Sequence, residues 1–357
     1  MSVEAHVVTS LGELIDLAPE WQALLTRCQG TSIFLTPVWH VAWWRAFGSG
    51  RVPYVVTFRD GARLVAVMPL MRRRDTLRGL PVRVTGSYND GHTSRTGMVV
   101  EPGYEPAVAA ALAARLAKCD ADWDVVMLRQ LPRDADWLVS FIAACDDVGL
   151  VAFAPVAGVS KFVIPLTGTW PDYLAGKSRH FRNRLRENMR RVQRAGGAAY
   201  RRSDGAAEDF EVFASLERGS WKHLDGQARL GPVGWAFQRE IALAADSGVS
   251  CYNLFLELDG RVVGGVHAVG YDGVAYSLQM LFHESVRHLY PGRAQFAVHV
   301  ADMFGSGRYG LLDLNGDSAF CRSWADTEME FVGLQVYNRR PYSSLLSRIK
   351  RLVGRNR

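Results

Sequence analysis

Asn253–Gly270 reads NLFLEL, then Asp259-Gly260, then RVVGGVHAVG. Two β-rich runs separated by Asp-Gly predict a tight antiparallel hairpin. A second Asp-Gly, Asp272-Gly273, carries the hairpin into VAYSLQMLF (Val274–Phe282) and makes a three-stranded meander. Downstream, Arg293–Phe304 (RAQFAVHVADMF) has helix-forming composition, and GLLDLNG (Gly310–Gly316) reads as a short buried strand. The same order occurs earlier. Pro53–Phe58 and Ala62–Leu70 flank Arg59-Asp60-Gly61, Pro106–Lys118 (PAVAAALAARLAK) is strongly helical, and Trp123–Leu131 (WDVVMLRQL) is a buried strand. A meander, a helix and a strand, occurring twice, predict two related α/β (α+β) domains, each a mixed, mostly antiparallel sheet flanked by helices. The boundary is expected within 157–165, giving domains 1–160 and 161–357.

The 357 residues suffice for two cores, and 48% of them are apolar, which excludes a disordered chain. No apolar run approaches the length of a membrane span, and MSVEAHVVTS does not read as a secretory signal. The five cysteines (Cys28, Cys119, Cys145, Cys251, Cys321) are scattered and include no CxxC pair. That pattern points to a reducing, cytoplasmic setting and away from disulfide frameworks and zinc clusters.

The net charge of +6 is concentrated in two segments. Lys177–Arg194 holds eight Lys/Arg and one acid, and Phe331–Arg357 holds seven Lys/Arg and no acid. Such segments attract phosphates, nucleic acid or anionic lipid, or are simply solvated surface. The first, assigned to 177–195, reads as a surface helix docked through Phe181, Leu185, Met189 and Val192 and ended by Gly196-Gly197. The second ends in a short amphipathic tail, 339–357, suited to peripheral contact with the inner face of a membrane.

Two motifs mislead. Gly305, Gly307 and Gly310 spell GxGxxG, but a helix precedes them and a strand follows, the reverse of a dinucleotide fingerprint. His283-Glu284 and His288 imitate a zincin with one residue too many, so no metal is expected.

The two Pro-Gly turns before the helices differ. Pro291-Gly292 leads into Arg293 and Ala294, leaving first-turn N–H groups and a guanidinium for an anion. Pro102-Gly103 leads into Tyr104, Glu105 and Pro106, where an acid and an imino acid oppose one. The first domain is therefore expected to be degenerate and without cofactor. A second cluster follows the strand LLDL: Asp313, Asp317, Cys321, Arg322 and Trp324. Asp313 and Asp317 can serve as general bases or as turn and cap residues. A third, Trp221 and Lys222, sits on the amphipathic helix expected over Phe210–Leu224.

His283–Trp324, Ser178–Gly196 (SRHFRNRLRENMRRVQRAG) and Ser32–Gly48 (SIFLTPVWHVAWWRAFG) together resemble the GNAT acyltransferases of the CelD/FemAB-like branch. The resemblance implies two tandem GNAT-like domains and an acyl-CoA co-substrate, with acetyl-CoA the first choice. It maps the pyrophosphate turn to Tyr290, Pro291, Gly292, Arg293 and Ala294, and the strand parting to Gln279, Met280, Leu281 and Phe282. The family's Gly-Asp-Glu and Tyr-Lys become Gly316-Asp317-Ser318 and Phe320-Cys321 here. The catalytic order implied is Asp317, Asp313, then His267, with Trp221, Lys222, Cys321, Arg322 and Trp324 on the acceptor side. The acceptor would be an amine on a small molecule, sugar or glycan/peptidoglycan precursor of the envelope or exopolysaccharides. Transfer from aminoacyl-tRNA and a non-catalytic scaffold are the alternatives. Two repeats in one chain suggest a monomer.

Overall fold

The computed structural model describes residues 3–28, 30–88, 91–118, 123–226, 230–244, 247–325 and 327–354. Cys119 lies outside the described residues. The chain folds as two units, 1–159 with 330–357, and 160–329.

The N-terminal unit begins with β1 (Val3–Val8), α1 (Leu11–Leu25) and α2 (Pro37–Phe47). Next come β2 (Val52–Asp60), β3 (Arg63–Leu77), β4 (Leu80–Gly86) and β5 (Val99–Val100). α3 (Glu105–Lys118), β6 (Val125–Pro132), α4 (Asp136–Asp147), β7 (Val151–Ala152) and β8 (Val156–Ala157) follow. The C-terminal unit opens with β9 (Lys161–Pro165), α5 (Trp170–Gly176), α6 (Arg179–Arg194) and β10 (Ala199–Ser203). It continues with α7 (Ala207–Arg218), α8 (Trp221–Leu224), α9 (Gly231–Ala242), β11 (Ser250–Leu258), β12 (Arg261–Tyr271) and β13 (Val274–Phe282). α10 (Pro291–Ser306), β14 (Leu311–Asp313), α11 (Ala319–Trp324) and β15 (Thr327–Met329) complete it. The chain ends with β16 (Phe331–Tyr337) and α12 (Pro341–Gly354).

The sheets run β1-β2-β3-β4-β6-β16-β7 and β10-β11-β12-β13-β14-β9-β15. In both, the fourth and fifth strands are parallel (β4 with β6, β13 with β14) and the meander is antiparallel. The hairpin at Asp259-Gly260 has positive φ at both residues (47° and 74°), as does that at Asp272-Gly273 (47° and 72°). This is the primed turn whose twist matches paired strands. One N-terminal core packs Val56, Phe58 and Val126 of the sheet against Leu112 of α3 and Phe141 of α4. One C-terminal core packs Ile164 and Leu312 against Phe296 and Val300 of α10 and Phe181 and Leu185 of α6.

Two expectations are corrected. The basic tail is not part of the second domain. β16 pairs antiparallel with β6 from Phe331↔Pro132 to Tyr337↔Val125, covering a strand edge that would otherwise be open. Asn338 Nδ2 donates to Trp123 O (2.6 Å) and Tyr342 Oη to Pro81 O (2.7 Å), which docks the start of α12 on the same unit. The helix expected over Phe210–Leu224 is broken. α7 stops at Arg218, and the Ser220 hydroxyl turns back onto Glu217 O (2.8 Å). Gly219 lies against His283, whose ring would be 2.2 Å from a Cβ there.

Truncation after Met329 is expected to unfold the N-terminal unit while leaving a cooperative transition for 160–329. Scanning calorimetry of full-length and truncated protein checks this. Two intact transitions in the truncated chain would contradict the strand assignment.

Candidate active site

β14 pairs with β13 only from Val274↔Leu311 to Tyr276↔Asp313, and β13 then continues to Phe282. A bulge sits at the parting. His267 of β12 faces Gln279 and Ala268 faces Ser277, so Leu278 is the extra residue. Past it, His283 N–H bonds Val263 O of β12 (2.8 Å). Main-chain groups alternate sides along a strand, so those of Leu281 and His283 face β12 while those of Met280 and Phe282 face the gap left by β14. Met280 O accepts a hydrogen bond from Lys222 Nζ (3.1 Å), bringing the α8 ammonium to that edge.

α10 begins beside this gap. Tyr290 is left-handed (φ 54°) and turns the chain into the helix, and Pro291 occupies its first turn. A Cβ on Gly292 would stand 3.4 Å from Phe282 and 3.7 Å from Met280, so the turn lies directly on the gap-lining side chains. Arg293 is half-buried, and its guanidinium lies 5.6 Å from the Phe320 ring. Burial and then the charge of Arg184 lower its pKa.

The basic helix α6 faces this turn. Its N-terminus is capped by Ser178, and Phe181, Leu185 and Val192 are buried. Asn188 is buried too, at 6% exposure. Arg184, Asn188 and Arg191 face Tyr290 and Arg293 across a cleft of about 390 Å³. A second cleft of about 270 Å³ shares Arg184 and Arg293 and extends to Lys177 and His180. The cleft-lining residues of α6 escaped the sequence reading. The available signal was Asn188, a polar residue beside an otherwise apolar stripe.

The other predicted residues divide. Asp317 is exposed in the loop after β14, and Ser318, not Asp317, caps α11 by accepting Cys321 N–H (3.2 Å). Asp313 is fully buried, and its Oδ1 accepts Asn315 N–H (2.7 Å), so it shapes the turn and is withdrawn as a base. His267 is also withdrawn. It is fully buried, with Nδ1 2.8 Å from Asn253 Oδ1 and Nε2 3.3 Å from Gln238 Oε1, inside Phe210, Phe213 and Trp235. Burial lowers its pKa to about 3 despite the charge of Asp209. Trp324 is a core residue packed on Phe181 and Phe296, and Cys321 is buried against the same core. Neither has a surface to offer a substrate. Arg322 lies 5.3 Å from the Phe162 ring. The Leu281 side chain packs with Phe210 and Phe213, Ala294 with Val192 and Leu256, and Pro291 has no N–H to give. Trp221 opens α8, and its side chain lies outside the described residues. Among the described residues no group of three His, Cys, Asp or Glu is placed to hold a metal.

In the N-terminal unit the corresponding gap is filled. After Gly86↔Met127 the pairing continues through Ser87 N–H to Met127 O (3.1 Å) and Arg129 N–H to Ser87 Oγ (2.9 Å). Thr96 N–H then bonds Gln130 O (3.0 Å) before the chain rejoins β3 as β5. At the next turn Glu105 accepts the Gly103 N–H (2.8 Å), so a carboxylate of the chain itself occupies that turn.

Residues 179–320 match the family model of an acetyltransferase (GNAT) domain. The match lies within the C-terminal unit, and what it shows there is a GNAT-type acetyltransferase domain. The chain as a whole has the tandem GNAT fold. FemX aligns with a TM-score of 0.64 at 14% identity, covering 97% of this chain and 99% of its own. L-PGS from Bacillus licheniformis gives 0.53 at 14%, covering 94% and 96%. A tandem GNAT protein from the clavulanic acid biosynthesis pathway gives 0.51 at 14%, covering 93% and 98%. None of the curated protein sequences matches the chain.

His267 and His299 are both fully buried with pKa values lowered to about 3 and about 4. A folded-state pKa below the unfolded one makes the neutral form part of the fold. The stability it supports is present above about pH 6.5 and is lost as pH falls toward those values. Each contributes a slope of about 1.4 kcal/mol per pH unit in that window. Denaturant titrations between pH 6.5 and 5 should therefore show His267→Gln with a shallower decline than wild type; equal slopes would contradict the burial of a neutral imidazole.

Proposed function

We propose that the protein transfers an acyl group, acetyl in the first instance, from a coenzyme A thioester to an amine. The observation carrying this reading is the parting of β13 from β14 directly beside the Tyr290–Arg293 turn, with no acid paired to Arg293 among the described residues. The thioester would supply an activated acyl carbon and a thiol leaving group. Gly292 and Arg293 would hold its diphosphate through helix N-terminal N–H groups and the guanidinium. The gap-facing N–H groups of Met280 and Phe282 are aimed to donate to a carbonyl oxygen in the parting. Asp317, exposed beyond β14, is the candidate to take the amine proton as the C–N bond forms and the C–S bond breaks. Lys222, Gln279 and Arg322 are assigned to the acceptor side, with Lys222 at the edge of the gap.

The N-terminal unit, with its gap stitched shut, is assigned a non-catalytic role. The acceptor is placed among small amines and sugar or peptidoglycan-type precursors in the cytoplasm. Among the described residues no helix is long and apolar enough to cross a membrane. α12 exposes Leu345 and Leu352 beside Arg348 and Arg351, which suits peripheral contact with an anionic bilayer. The protein is assigned as a monomer.

The FemX fold and the outward-facing Arg186, Arg190 and Arg194 of α6 favour a second reading, in which the donor is an aminoacyl-tRNA. Affinity for tRNA dominated by phosphate contacts should fall steeply between 50 and 200 mM salt, about tenfold or more for a few contacts. Filter binding with deacylated tRNA that is tight and salt-sensitive would favour this reading. Weak, non-saturating binding favours the thioester.

Acetyl-CoA is expected to raise the melting temperature, and Arg293→Ala to weaken that stabilisation about tenfold in apparent affinity. Asp317→Asn should lower kcat about 10²–10⁴-fold while leaving donor affinity unchanged. Equal turnover in D317N would remove Asp317 from catalysis.

A further inference from the structure

The two faces of β16 are covered unequally. Val332, Leu334 and Val336 pack into the N-terminal core, so the alternating Gly333, Gln335 and Tyr337 face the other side of the sheet. α12 covers that side at Tyr337 through Leu346, whereas Gly333 brings no side chain of its own. A cleft of about 370 Å³ lies over Gly333, walled by Met127 and Arg129 of β6, by Val156 and Val159, and by Lys350 of α12. A cleft of about 170 Å³ beside Leu80, Leu346 and Ile349 shares Gln335 and Lys350 with it. Together they form one groove along about 13 Å of strand. Lys350 stands where they meet. Its Nζ donates to Gln335 Oε1 (2.6 Å) and lies 4.4 Å from the Phe153 ring. Burial and then the charge of Arg78 lower its pKa to about 8. Arg78 lines the smaller cleft and Arg129 the larger. Among the described residues no acid lines either cleft, and none is paired with Arg78, Arg129 or Lys350. Three cations along an apolar groove repel one another and lose hydration, which an anion bound among them would offset.

We propose that this groove is a binding site for an anionic amphiphile, a carboxylate with one apolar tail. The ammonium of Lys350 has given one of its three donors to Gln335, and two remain for the two oxygens of a carboxylate. A terminal phosphate has three acceptor oxygens and a second charge, which one half-buried ammonium matches less well. The tail would lie over Gly333 between Met127 and Val159 and displace water from them. Every lining residue belongs to the N-terminal unit, so this site stands apart from the thioester reading.

The test is calorimetric titration of the full chain at pH 7 with decanoate below its micelle concentration, and with decanol, acetate and decyl phosphate. Wild type should bind one decanoate per chain, at least about tenfold more tightly than decanol or acetate. Lys350→Met should bring decanoate within about twofold of decanol, with affinity for decanol unchanged. K350M is expected to fold normally, because a half-buried charge is removed and Gln335 Oε1 still accepts Tyr337 Oη (3.0 Å). Gly333→Leu should block decanoate and decanol alike. The backbone admits that side chain, since a Cβ on Gly333 would meet nothing nearer than Leu128 O at 3.4 Å. Wild type that binds decanol or acetate as tightly as decanoate, or decyl phosphate more tightly, overturns the site. Decanoate preference kept by K350M, or decanoate binding kept by folded G333L, also overturns it.

Discussion

The site depends on a limit to strand pairing. β13 and β14 share only three paired positions, and beyond Tyr276 and Asp313 the longer strand continues with one edge uncovered. Exposed main-chain donors and acceptors are costly to bury without partners, so such an edge is either paired, filled or kept for a ligand. The two units handle it differently. In the N-terminal unit Ser87 and Thr96 fill the corresponding edge with hydrogen bonds of their own loop. In the C-terminal unit Lys222 Nζ reaches the edge at Met280 O, and a helix N-terminus opens beside it.

That contrast separates the two copies of one fold. The N-terminal copy keeps the meander, the helix and the parallel fifth strand, but its turn is neutralised by Glu105 and its gap is stitched shut. The C-terminal copy keeps the gap and surrounds the turn with the arginines of α6. The GNAT domain match covers this second copy, while the FemX likeness spans both.

Much of the architecture was legible because it is local. Asp259-Gly260 and Asp272-Gly273 specify their turns through positive φ at both residues, and Gly307 ends α10 in the left-handed region, which disposes of the GxGxxG resemblance. The tail was misassigned because β16 finds β6 across about two hundred residues of sequence, a pairing no local pattern encodes. The turn that opens α10 could be located from Pro291-Gly292-Arg293, whereas the side chains around it divided by which way they face. His267 sits in a strand buried on both sides, and Trp324 on a six-residue helix, so periodicity could not tell core from cleft. Asn188 was hidden for the opposite reason, as a polar residue inside a face read only for its apolar members.

Amide hydrogen exchange with and without acetyl-CoA addresses the central claim most directly. The account predicts added protection confined to the segments around Met280–Phe282 and Gly292–Ala294 and to α6, with Ser87–Thr96 of the N-terminal unit unchanged. Protection centred on the N-terminal gap, or absent from β13 at saturating donor, would contradict it.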